Sequence, residues 1–537
     1  MKKNAFFVLI LLCCVCLSAD EITQNDDTEL KRIEEEMLQM MQDSFSPKPD
    51  LKTPEPIIIN QKFPSPIAEI EVVGNTILSE QTINKWIESK IGVIDDLASL
   101  NSATKELENL YIDDGYITTK VKLDSKNSSI RKSKMTFMVL EGKISKYTFN
   151  GEENTFKSTI TFPKRRDNLA NVRDLDQAIE NLSNMADMQI TSSKDAFSII
   201  DLDMSAYKPL SLWLNYNNLG SRSIGKDRGK ITAQSKDILG LNETIFGYYQ
   251  DELRQFKNKK AKSYYIFTNF PVQYWAFWYS YEYSDYKIAP SFGKAGVHNM
   301  GIANVLYRNK NRKLTAKTSL TLKKIDTYKG GVWLDEHSRK LSILSIYFPY
   351  MDTLFDGLIN ISGGVHFGLN KFGANDDDEW YRDDTTPTAK FTKYTLYMNW
   401  YKPLNFAYYR LNFGSQYTDD RLYPSERLTI SDDVSVKGYR MGGIIADRAF
   451  YLRNEIGLSG NIIKPFVGYD VGRGRNTYCV SGSCSWLGDQ IRSISAGTRL
   501  AYKNFDALIN FSWATNYPER IKTNPYEFYI LYKQLKK

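Results

Sequence analysis

Long hydrophobic runs are missing from this 537-residue sequence: past the first 19 residues, nothing strings together the ~18 apolar residues that carry a helix across a bilayer. That excludes a helical membrane protein but not a membrane β-barrel, whose strands cross as alternating segments of about ten residues. Histidine is nearly absent, at three residues, and His298, His337 and His366 stand apart, so there is little material for metal or acid–base chemistry. No Ser-His-Asp, Cys-His or HExxH arrangement is present, which leaves no catalytic residues and no metal site to nominate. The net charge of +7 comes without a long basic run, so there is no electrostatic footprint for nucleic acid. Cysteine is scarce as well. Of five, Cys13, Cys14 and Cys16 fall in the first 19 residues, leaving Cys479 and Cys484 in the loop-like Tyr478–Cys484.

Those first 19 residues run from a positive start, Met1-Lys2-Lys3, through an apolar stretch, Ala5–Leu17, to small residues at Ser18-Ala19. They read as a secretory signal peptide. Lipoprotein cleavage at Cys13 or Cys14 is the competing reading, but neither is preceded by the small residue such a site wants. In an exported chain, Cys479 and Cys484 read as a disulfide staple. Metal ligation is the alternative, with no His or second Cys pair nearby to support it.

What the sequence holds in abundance is aromatics, very unevenly placed. Of 9 Trp, 35 Tyr and 27 Phe, only one Trp, three Tyr and nine Phe precede Tyr207. Two physical environments therefore share the chain. Residues 20–45 set Leu30, Ile33, Met37, Met40 and Met41 on one face of an amphipathic helix. Six prolines between 46 and 66 then impose an extended linker, which tethers that helix. From 67 to 145 the pattern reads β-α-α-β-β: a strand at Ile70–Val73, helices around Ser79–Ser89 and Leu100–Asp113, and strands near Ile117–Leu123 and Met135–Leu140. A shorter copy occupies 146–205, with strands at Tyr147–Phe149 and Phe197–Leu202 and a helix at Arg173–Met185.

Beyond 206 the period becomes two. Leu314, Ala316, Thr318, Leu320 and Leu322 alternate with Lys313, Thr315, Lys317, Ser319 and Thr321, and Ile494–Tyr502 repeats the pattern against Ser493, Ser495 and Arg499. A soluble sandwich or propeller would have to bury those lysines. A water-filled lumen accepts them, and the remaining length divides into about 16 strands of a transmembrane barrel over 206–537.

Two motifs have bland readings. Gly220–Lys226 satisfies G-x4-G-K, but Asp227 stands where a Ser or Thr would hold Mg²⁺ and no βαβ unit surrounds it, so no nucleotide is implied. The acidic run Asn375–Asp384 lacks the glycine and spacing of a calcium loop and reads as solvated surface. The constellation with chemical content is Val436-Lys437-Gly438-Tyr439, a cation beside a glycine in a polar segment, followed by strands carrying Glu455 and Asp470. A charge inside a lumen seeks a partner.

In this order the parts resemble the two-partner secretion transporters (TpsB family, haemolysin/adhesin secretion-activation type). These are outer-membrane barrels of type V secretion with periplasmic polypeptide-transport-associated (POTRA) domains. The resemblance rests on Val72–Thr76, Asp114-Gly115-Tyr116, Leu140–Ile144, Val172–Ala178, Leu214–Gly225 and Val436–Tyr439. It implies α+β POTRA domains followed by an all-β barrel, and no enzyme activity or cofactor. It makes 20–45 a plug helix and folds a loop near 421–448 into the pore. Its tip, Val436, Lys437, Gly438 and Tyr439, meets Asp470 on the wall, with Glu455 a second candidate. The family has arginine where Lys437 stands, and an aromatic terminus where this chain ends in Lys533–Lys537. The implied partners are an unfolded periplasmic exoprotein, outer-membrane lipid and the barrel-assembly machinery. Assembly insertases share these domains but carry more POTRA copies, and a gated porin or receptor would lack them. These are the rival readings.

Overall fold

The computed structural model describes residues 62–537 except 164–167, 184, 193–195, 206–208, 221–225, 254–258, 289–290, 310, 335–337, 378–385, 432, 440–441, 481–482, 520, 522–525 and 537. The expected signal peptide, the helix carrying Leu30 to Met41, and the linker up to 61 lie outside the described residues.

The first unit is built on β1 (Glu69–Val73), α1 (Glu80–Lys90), α2 (Leu97–Asp113), β2 (Lys120–Leu123) and β3 (Lys134–Leu140). Ser79 caps α1 by accepting from Thr82 N–H, and Asp96 and Ser99 cap α2 reciprocally. α2 buries Leu100, Ala103, Leu107 and Tyr111, spaced three and four apart, against β3, which is central because β1 pairs it in parallel and β2 antiparallel. Trp86 of α1 meets Phe137 edge-on at 5.3 Å.

The second unit repeats that order more completely than the sequence pattern suggests: β4 (Lys143–Phe149), β5 (Glu152–Glu153), α3 (Thr155–Thr161), α4 (Val172–Asn181), β6 (Asp187–Ser192) and β7 (Phe197–Asp203). β4 and β7 pair in parallel and β6 joins β7 antiparallel. β4 starts at Lys143, a few residues ahead of the expected boundary at 146. The predicted single helix to Met185 stops at Asn181. The two units are joined tightly. Val172 N–H donates to Gly115 O at 2.8 Å, and Arg173 pairs with Asp114 at 3.0 Å.

The barrel follows. Its strands are β8 (Leu210–Asn217), β9 (Arg228–Lys236), β10 (Thr244–Glu252), β11 (Lys259–Val272), β12 (Trp275–Ile288), β13 (Ser291–Arg308), β14 (Lys313–Lys329), the two-residue β15 (Val332–Trp333), β16 (Arg339–Leu354), β17 (Gly357–Leu369), β18 (Thr392–Pro403) and β19 (Ala407–Thr418). After a small hairpin of β20 (Leu428–Ile430) and β21 (Ile444–Ala446), it continues with β22 (Arg448–Leu458), β23 (Ile463–Val480), β24 (Ser483–Tyr502), β25 (Phe505–Asn516) and β26 (Tyr526–Lys536). Antiparallel neighbours close the ring when β26 pairs with β8. With β15 only a short extension, 16 strands form the wall among the described residues, as the alternation predicts. The closing strand was expected at Tyr526–Tyr532, but its ladder runs on, pairing Leu535 with Trp213 and Lys536 with Leu212. Main-chain hydrogen bonds to β8 extend it whatever the side chains are.

Alternation sorts the two faces. On β12, Trp275, Phe277 and Tyr279 are exposed outside while Ser280, Glu282 and Ser284 are buried; on β23, Ile463, Val467 and Tyr469 face out while Asp470 is buried. An aromatic-aliphatic outer band over a polar interior is the arrangement a bilayer demands. The two ends of the G-x4-G-K match lie in the connection between β8 and β9, where Gly220 N–H donates to Lys226 O at 3.0 Å, with strands rather than a βαβ unit on either side; 221–225 lie outside the described residues. Asp377 accepts from Ala389 and Lys390 N–H, which gives that acidic residue a loop-closing role.

The second unit sits on the turns at one end of the barrel. Gln273 N–H donates to Ile160 O at 2.7 Å, Asn181 Nδ2 donates to Gln273 O at 2.9 Å, and Asn242 Nδ2 donates to Thr161 Oγ1 at 2.8 Å. Lys157 pairs with Asp237, and Glu180 pairs with both Lys313 and Arg308. Burial raises the Glu180 carboxyl, but Lys313 and Arg308 outweigh it and hold the group at about 2 against an ordinary 4.5. A depressed carboxylate stabilises the docked form above its unfolded value and loses that contribution as pH falls through its folded value. Amide protection along α4, taken relative to intrinsic exchange at each pH, is therefore expected to fall as pH drops from about 4.5 to about 2, and Glu180→Gln should flatten that fall.

Candidate functional site

The segment joining β19 to β22, residues 419–447, does not project from the barrel. It folds inward. Its neck is tied by Arg448 to Asp419, by Arg427 Nε to Asp447 Oδ1 at 3.0 Å, and by Leu422 N–H to the same oxygen at 3.1 Å. The hairpin of β20 and β21 follows, antiparallel from Leu428 opposite Ala446 to Ile430 opposite Ile444. Its apolar side forms a cluster with Val436, Tyr439, Tyr451 and Ile491 inside the lumen.

The wall makes room with small residues. A Cβ added at Gly472 would lie 2.5 Å from Ile430 Cγ2 and 3.0 Å from Val436 Cγ2, so only glycine lets the hairpin lie this close. Across four strands, Glu455, Gly468, Ser495 and Ser512 are successive register partners, forming a row in which a long side chain fits above Gly and Ser. Lys437 enters there, 2 % exposed, and Gly438 turns the chain at φ +88°.

The expected tip residues and wall carboxylates come together. Lys437 Nζ lies 3.9 Å from Asp470 Oδ2, 3.8 Å from Glu455 Oε2 and 3.3 Å from Ser495 Oγ, while its backbone N–H donates to Asp470 Oδ2 at 3.3 Å. The lysine is thus shared between two carboxylates as a point charge. Glu455 has a stronger partner that the sequence reading did not name: Arg499 holds both its oxygens, at 2.8 and 3.0 Å, and Tyr408 OH donates to it at 3.0 Å. Tyr439 is fully buried. Its hydroxyl lies 2.6 Å from Arg492 O and 2.7 Å from Asn516 O and accepts from Arg492 N–H at 3.3 Å, which ties the tip to β24 and β25.

Cys479 and Cys484 are register partners across the β23–β24 hairpin; their side chains lie outside the described residues. The sequence places Ser495 and Arg499 on the inward alternation of β24 but gives neither a role at the tip, and it does not single out Ser512 of β25. Their relevance depends on the register between strands.

Comparisons with known proteins agree with this architecture. Residues 197–500 match the family model "Haemolysin secretion/activation protein ShlB/FhaC/HecB", and 65–142 match the ShlB-type POTRA domain. The outer membrane transporter CdiB of Dickeya dadantii is 27% identical over 73% of this chain and 72% of its own, and the hemolysin transporter protein ShlB of Serratia marcescens is 26% identical over 82% and 80%. The solved structure of CdiB from Escherichia coli superposes with a TM-score of 0.81 at 19% identity, covering 95% of this chain and 99% of that one. A family model spanning more than half the sequence, over a barrel that carries two POTRA units and an inward loop, places the chain: it belongs to the haemolysin secretion/activation (ShlB/FhaC/HecB) family of two-partner-secretion outer-membrane transporters.

Proposed function

We propose that this transporter captures one unfolded exoprotein at its POTRA sheets and passes it through its own lumen once the loop 419–447 leaves its wall pocket. The observation that carries the reading is the coupling of open sheet edges to a loop-filled barrel. Among the described residues β2 and β6 each pair on one side only, and the unit bearing β6 is hydrogen-bonded to the barrel turns. An extended chain added to such an edge gains main-chain hydrogen bonds without needing a fixed sequence. The amphipathic segment 20–45 acts as a plug that withdraws, and substrate folding beyond the membrane supplies the direction. The barrel-assembly machinery inserts the protein, and lipid solvates the aromatic outer face.

The test is export from bacteria of the exoprotein encoded for this transporter, comparing the full chain with one lacking residues 67–205 and with proline variants along β6. Loss of export in both, with barrels still inserted and heat-resistant on gels, is the expected result. Normal export without the POTRA units would sink the reading. An insertase would instead show barrel-assembly defects across the outer membrane.

A further inference from the structure

The tip pocket lies on β22–β25, yet the base of the same loop has its own buried charge cluster elsewhere on the wall. Glu426, in the short turn Pro424–Glu426, has a side chain only 5 % exposed. Its two oxygens go to different strands: Oε1 to Lys323 Nζ of β14 and Oε2 to Lys393 Nζ of β18, both at 2.9 Å. Each lysine also takes a main-chain carbonyl of the turn, Lys323 that of Ser425 at 3.3 Å and Lys393 that of Glu426 at 2.9 Å. β16 and β17 lie between those two strands, so one carboxylate bridges the wall from inside. On the bridged stretch, His366 of β17 bonds Ser345 and Thr395, each at 2.9 Å. Leu422 and Tyr423 of the loop pack beside it against Leu341, Ile343, Ala389 and Phe391.

A buried carboxylate is costly unless paired and hydrogen-bonded, and this one is paired twice, through groups separate from those that hold the tip. The tip pocket does not require it. We propose that Glu426 is a positioning residue, the fixed anchor of the pore loop. The base, 419–427, stays on β14 and β18 while the hairpin and tip swing off β22–β25. The loop is then a tethered flap, and the lumen clears on the β22–β25 side. This rests on the reading that the tip moves at all.

Two engineered disulfides separate the base from the tip, each made in the full mature chain carrying Cys479→Ser and Cys484→Ser. The base pair is Thr388→Cys with Arg421→Cys, where Thr388 N–H donates to Arg421 O at 3.2 Å. The tip pair is Gly438→Cys with Ser512→Cys, where a Cβ at 438 would lie 3.4 Å from Ser512 Cβ, close to disulfide reach. Conductance of the purified protein is recorded in planar bilayers, oxidised and reduced. The base crosslink should leave large openings within about twofold of the reduced protein, and the tip crosslink should suppress them about tenfold or more until reductant is added. A base crosslink that silences the pore overturns the anchor. Large openings that persist through the tip crosslink overturn the underlying tip reading instead. Glu426→Gln, checked for folding by heat-shifted gel migration, should lengthen open dwell times, and Glu426→Asp should restore them. Unchanged dwell times in Glu426→Gln also overturn the anchor.

Discussion

Replacing Tyr439 with Ala is expected to raise the open probability of the purified pore by about two to three and a half orders of magnitude, the largest effect of any single change at the loop tip. The ring is fully buried among Val436, Ile491 and the hairpin, and it meets Tyr517 edge-on at 6.3 Å. Truncating a buried aromatic costs ~3–5 kcal/mol, and each ~1.4 kcal/mol is a tenfold change in an equilibrium. The restraint being lost belongs to the loop, since β24 and β25 keep their own ladder, so the cost should appear as a shift from lodged to released loop. Tyr439→Phe keeps the ring and removes the hydroxyl that reaches Arg492 O and Asn516 O, so it should open the pore by only about tenfold. Conductance equal to wild type in both variants would show that the tip does not hold the loop.

The second large effect is a coupling. Asp470→Ala should release the loop strongly, because it leaves Lys437 buried with one shared carboxylate, Glu455, whose oxygens already serve Arg499. Removing one member of a buried pair costs ~3–5 kcal/mol, whereas removing both by apolar groups is often near neutral. The double variant Lys437→Met/Asp470→Ala should therefore open far less often than Asp470→Ala alone. Simple addition of the two single effects, read from open probability, would show that the pair does not couple. Lysine meets this wall as a point charge and not as a fork. It approaches both carboxylates at nearly 4 Å, and Asp470 Oδ1 is left buried with no hydrogen-bond partner among the described residues.

How much was legible depends on how local each feature is. The helices of the first unit could be read because α2 repeats apolar residues at three and four, and the barrel because Ser493, Ser495 and Arg499 alternate with Ile494 and Leu500. α3 and β6 were missed: Thr155–Thr161 is short and threonine-rich, and Asp187–Ser192 is mostly polar, so both owe their state to neighbours. The tip and Asp470 could be named as a charge and a carboxylate. That Glu455 belongs first to Arg499, and that Glu426 bridges Lys323 and Lys393, could not.

The sequence by itself determined the order of parts, the face each strand turns to lipid, and the inventory of buried charge, because period and composition act through residues a few positions apart. Only the tertiary structure decided which charges meet. Pairing between neighbouring strands fixes their register, and register brings Gly468, Ser495 and Ser512 into one row that admits Lys437. It also places β14 and β18 a carboxylate's reach from the same turn. Such contacts join residues tens to hundreds of positions apart, and no local pattern encodes them.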